Sequence, residues 1–303
     1  MHQGLGISVD TGFRLLSGLG YLVANLSFFS VLRRWEASPL IALGISLLAT
    51  TAAWPTVYHL RNIWQASDSW TYALIGLMAL CTIRGSVGAL FALALASVFV
   101  RQNLPILGGA ALLHLAMMRR SLWPIAGIFL VATAFALNTI MAGGGASSVL
   151  VAHVAGDLVS LQGAVDALFD ANLIFLFLPL LPLLVLPETL RAARRHWWLV
   201  VFAGATLLQS LLVAQAGGPY NTARIAMPGF WALFLLVGLG AQQRMVTVWH
   251  QMALVLIPSS LIISRILLVG TDYQVWHDRR LLPFVLLGLL VVVARRRDNW
   301  ARR

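Results

Sequence analysis

With 303 residues, 60% of them hydrophobic and only 10% charged, and a mean hydropathy of +0.86, the chain is too apolar for a soluble domain and reads as a polytopic membrane protein. A net charge of +11 does not point to nucleic acid, because all 21 basic residues are arginine and they are spread between apolar runs instead of forming a patch. The lone cysteine, Cys81, excludes an intrachain disulfide or paired-cysteine metal site.

In chain order, apolar runs at 13–32, 39–55, 71–83, 86–100, 104–118, 121–142, 172–187, 197–216, 225–243, 246–269 and 281–294 predict eleven transmembrane helices, an all-α bundle in a single integral membrane domain over 1–303. The runs 71–83 and 86–100 are shorter than the roughly 20 residues that cross hydrocarbon. They form either a re-entrant hairpin or helices that extend through their flanks. Alternating the loops places fourteen arginines against three acids on one side and seven against seven on the other. The arginine-rich side is the cytoplasm, so the N-terminus is outside and the C-terminus inside. Residues 1–11 lack the charged start and cleavage site of a signal peptide. An outside N-terminus without a preceding span is unusual for such a chain, and the reading favours a missing upstream helix and loop.

The outer loops carry the polar variety. Residues 56–70 offer Tyr58, His59, Arg61, Trp64, Asp68 and Trp70. A GGGASS linker leads into 149–169, where Val154, Leu158, Leu161 and Val165 form a helical stripe beside His153, Asp157 and Ser160. Such a divided helix belongs on the membrane surface. Three prolines, Pro179, Pro182 and Pro187, kink the following span.

The stretch 217–230, GGPYNTARIAMPGF, sets a polar loop over 217–224 and one arginine against a new span. Arg224 at its lip is either an interfacial anchor or a guanidinium presented to a lipid phosphate, which its planar donor fork suits. A further outer loop, GTDYQVWHDRR, gathers Asp272, Tyr273, His277, Asp278, Arg279 and Arg280. No Walker loop, HExxH or GxSxG pattern is present, and His114 and His250 within spans read as core histidines. No cofactor is expected, and a divalent cation has no motif to hold it. The chemistry left open is acid–base work: Asp10, Asp68, Asp157, Asp272 or Asp278 taking a proton from an acceptor hydroxyl while arginine and histidine stabilise a departing phosphate.

Residues 64–120, with an outer Ser-Asp step, a helix, a tight inner turn at Arg84-Gly85, a small-residue helix, Arg101, another helix and Arg119-Arg120, resemble the GT-C type of multi-spanning glycosyltransferase. The outer NTAR before the proline-bearing IAMPGFWALFLL continues the resemblance. It implies a membrane lipid environment, a polyprenyl-phosphate-sugar donor, and an extracytoplasmic lipid or polysaccharide acceptor. It also implies phosphate contacts from Arg224 and Arg101, joined by Tyr220, Asn221, His277 and Arg280. Such enzymes carry the catalytic acid in the first outer loop, of which only the tail holding Asp10 is present here; Asp68 and Asp157 are the other candidate bases. The alternatives from other classes are a lipid or solute transporter and a noncatalytic membrane subunit.

Overall fold

The computed structural model describes residues 9–52, 66–101, 103–141 and 185–244, with short helical pieces at 248–249, 251–252 and 254–256; side chains at 10, 50–52, 66–67 and 210–225 lie outside that description. The described residues are helical and without strands: α1 (Val9–Arg34), α2 (Pro39–Ala52), α3 (Ala66–Arg84), α4 (Val87–Ser97), α5 (Leu104–Arg119), α6 (Trp123–Met141), α7 (Leu186–Arg195) and α8 (Trp197–Arg244). Three stretches, Thr11–Arg34, Trp123–Met141 and Ala226–Arg244, are long and apolar enough to cross a membrane. The expected outer surface helix at 149–169 and the span at 281–294 lie outside the described residues, as does the proline-rich run up to 184.

Local chemistry sets the helix ends. Gly85, at φ +67°, takes the left-handed conformation that ends α3 cheaply only for glycine, and the Arg119 guanidinium closes over it. Asn103 stands at the N-cap of α5 with Pro105 in its first turn, and Arg120, left-handed at φ +50°, ends it with its N–H on the Ala116 carbonyl. After α1 the Ala37 N–H returns to the Leu32 carbonyl at 3.0 Å while Arg33 donates to the Ala37 carbonyl at 2.6 Å, so the freed carbonyls are satisfied before α2 starts.

Small residues let the helices approach. Gly20 sits on Ser69, and Gly76 sits on Ser27 and Phe28, leaving no room for a Cβ at either glycine. Where lipid removes the hydrophobic drive between helices, such close backbone contact is what holds them. These pairs show that α1 and α3 run parallel. They also place Arg84 level with Trp35, at the end of a helix long enough to span. The run 71–83 is therefore part of a 19-residue helix that extends through its N-terminal flank and lies beside α1 from about Ser17 onward. Next, α4 carries the chain back and α5 repeats the direction of α3, with Gly108 beside Met78. On the periphery, α6 exposes Phe129, Leu130, Leu137 and Ile140, as a lipid-facing helix does.

The expected polar loop at 217–224 is corrected: its backbone lies inside the 48-residue helical run of α8. A straight helix of that length would reach about 72 Å, more than twice a bilayer core. Yet Gly229 packs against Ala203 and Thr206, Gly240 against Val185 and Thr189, and Arg244 against Glu188. All these pairs are centred within about four residues of position 216, so the first and last parts of α8 lie side by side as antiparallel arms and not along one straight axis. The second arm runs parallel to α1, with Phe28 on Trp231 and Leu32 on Gly238.

Candidate functional site

Two of the residues singled out by the sequence meet. Asp68, in the first turn of α3, accepts an ion-paired hydrogen bond from Arg101, which follows α4; the two side chains are 1% and 14% exposed. The encounter follows from the topology: α4 returns beside α3, and three turn residues after Ser97 deliver Arg101 to the start of α3, its N–H anchored on the Ser97 carbonyl. A buried ion pair costs several kcal/mol of desolvation per ion unless geometry and further bonds offset it, so inside a membrane bundle it marks a functional position by default.

Around the pair lie buried Ser69 and Thr71, and one turn deeper Tyr72. Tyr72 stacks on Trp231 with ring centroids 4.7 Å apart, Tyr21 approaches Tyr72 at 6.0 Å, and Phe28 meets Trp231 edge-on at 5.3 Å. This aromatic column seals the pair from the middle of the bundle. Three buried polar atoms near this end have no hydrogen-bond partner among the described residues: Ser17 Oγ, Asn103 Oδ1 and Trp231 Nε1. Each is a group that a water or a bound hydroxyl could satisfy.

The backbone of α8 brings a third predicted position to the same side. The helical backbone of α8 places positions 220 and 224 two to three turns nearer the Asp68 end than Trp231. Asn221 is adjacent on the same helical backbone. Asp10 lies within α1, toward the end where α3 begins. Asp157, Asp272, Asp278, His277 and Arg280 lie outside the described residues. Among the described residues no group of three or more His, Cys, Asp or Glu could hold a metal.

Sequence reasoning passed over the opposite end. Glu188 is buried in α7 and accepts from Arg244 at 2.8 Å and Arg191 at 3.2 Å; the spacing of Glu188 and Arg191 was the available signal. His196, between α7 and α8, packs on Trp35 at 4.5 Å, while His114 meets Trp197 and Trp198 at 6.1 and 6.3 Å. Burial, then the neighbouring His114 and Arg195, push the His196 pKa down to about 4. Nothing in the sequence announced Trp231, because a tryptophan in an apolar run carries no sign of its partner. Compared with known proteins, the chain matches no family model, no curated protein and no solved structure.

Proposed function

We propose that this chain is a membrane glycosyltransferase of eleven spans in a bacterial cytoplasmic membrane, with its N-terminus and active face outward. It moves a sugar from a polyprenyl-phosphate donor to an extracytoplasmic lipid or polysaccharide acceptor. The observation that carries the reading is the buried Asp68–Arg101 pair. A carboxylate beside a guanidinium supplies the two functions needed, a base and an anion clamp.

In this reading the donor phosphate competes for the Arg101 guanidinium and loosens its hold on Asp68. The freed carboxylate takes the proton of the acceptor hydroxyl as that oxygen bonds to the anomeric carbon. The bond from that carbon to the phosphate oxygen breaks, inverting the centre, and polyprenyl phosphate leaves with the electron pair on Arg101 and Arg224. Tyr220 and Asn221, with His277 and Arg280, complete the phosphate contacts. The test is sugar transfer in reconstituted vesicles supplied with a polyprenyl-phosphate sugar. Asp68→Asn should abolish transfer while donor binding persists, and Arg224→Ala should weaken donor binding about 10-fold to 150-fold, the loss of one hydrogen bond to a charged group. Transfer by Asp68→Asn at the parent rate would sink the assignment.

The same pair favours one second reading, a lipid or solute transporter, since paired charges inside a bundle also line transport paths. Vesicles that move a labelled lipid-linked sugar across the bilayer without transferring its sugar would select it.

A further inference from the structure

Helix α7, Leu186–Arg195, is placed by the ends of its neighbours. Glu188 is bonded to Arg244, the last residue of α8, and Val185 and Thr189 press on Gly240. His196, directly after α7, packs at a tilt on Trp35, just beyond α1, and Trp197 reaches His114 in the last turns of α5. The apolar stretches Thr11–Arg34 and Ala226–Arg244 both end at this level. A membrane that surrounds them ends there too, which sets α7 at headgroup depth.

The buried side of α7 is spoken for; the exposed side is divided. Leu186 and Leu190 are 43% and 55% exposed and one turn apart, and Arg191, Arg194 and Arg195 are exposed beside and beyond them. Arg194 and Arg195 have no acid on their own helix left to meet, since its one carboxylate, Glu188, is buried and held by Arg191 and Arg244. The end of α5 adds exposed Met117 and Met118 next to Arg119 and Arg120. An apolar strip bordered by guanidinia at headgroup depth is complementary to one surface, acyl chains below and phosphodiester anions above.

We propose that the exposed face of α7 binds anionic phospholipid, with Leu186 and Leu190 among the upper acyl carbons and Arg194 and Arg195 on the headgroup phosphates. This site is independent of the Asp68 end and stands whether or not the chain transfers sugar. The geometry makes α7 a lipid-reading element joined to the second arm of α8 through Glu188 and Arg244.

The test uses the full chain with Cys81→Ala and Leu190→Cys, labelled with an environment-sensitive fluorophore and reconstituted in phosphatidylcholine vesicles with or without phosphatidylglycerol. Brominated phosphatidylglycerol should quench the label about threefold or more better than brominated phosphatidylcholine at equal content, with the preference falling as salt is raised. Arg194→Gln with Arg195→Gln should remove the preference and leave the quenching by phosphatidylcholine in place, while a matched Arg33→Gln variant keeps both. Equal quenching by the two lipids at low salt overturns the proposal, as does a label that no lipid quenches. Label self-quenching that grows with protein density at fixed lipid composition would show a second copy on this face and overturn it equally.

Discussion

Among the described residues the bundle buries one carboxylate at each end and treats the two differently. Asp68 and its arginine are sealed together, 1% and 14% exposed, whereas Glu188, 6% exposed, is reached by arginines that stay 67% and 44% exposed. The first arrangement takes both charges out of water; the second leaves the cations hydrated and desolvates only the anion. Exposed ion pairs contribute little and are screened by salt, while a sealed pair is strongly destabilised when one member is removed.

The sharpest way to break the contrast is to delete one acid at a time. Asp68→Ala should cost about 3 to 5 kcal/mol, because it removes the buried carboxylate that faces the Arg101 charge. Replacing both Asp68 and Arg101 by leucine should restore much of that loss. Thermal unfolding of the detergent-solubilised variants measures both, and an additive double variant would show the pair is not coupled. Glu188→Gln should cost only about 1 kcal/mol, with its penalty shrinking at high salt.

Acid should distinguish the ends next. His196 is held neutral by burial, so the unfolded chain binds its proton near the ordinary pKa of 6.5 and the folded chain only near 4. Stability is then full above about pH 6.5 and falls as pH drops toward 4, by roughly 1 to 3 kcal/mol. His196→Gln should flatten the fall in melting temperature between pH 7 and pH 5, and a variant that melts with the parent's pH profile would assign the effect elsewhere. The smallest effect belongs to the Asp68 end. Trp231→Phe removes a buried N–H without a partner among the described residues and should change stability by less than about 1 kcal/mol in either direction. If it nonetheless weakens donor binding in the vesicle assay, that N–H is a ligand donor.

Hydropathy made the helices legible: α1, α2, α5 and α6 begin and end within a few residues of their apolar runs, because a run that must satisfy its backbone in lipid has only the helix available. A break between the two apolar arms of α8 was legible in the polar stretch 217–224, but its form, helical backbone in place of a loop, was not. A glycine pair weakens a helix without saying whether the chain leaves it as a loop or bends it back, and the contact of Gly229 with Ala203 and Thr206 decides that. Asp68 and Arg101 were each visible as polar residues near span ends. Their pairing was not, since it depends on α4 returning beside α3. Glu188 read as one more loop charge because charge counting does not see burial.

The shared direction of α1, α3, α5 and the second arm of α8 has an electrical consequence. Each helix is a dipole with partial positive charge at its start and partial negative charge at its end, worth about half an elementary charge at either terminus. α1, α3 and α5 all start at the Asp68 end and finish in last turns that carry Arg33 and Arg34, Arg84, and Arg119. These arginines therefore neutralise three aligned negative termini. At the opposite end the starts of α1, α3 and α5 meet the end of α4, so positive and negative termini lie side by side. Asp68 stands in the first turn of α3 and Arg101 just past the end of α4, so each member of the pair also answers the backbone terminus beside it, and the attraction between the two helices is written twice, once in side chains and once in peptide dipoles.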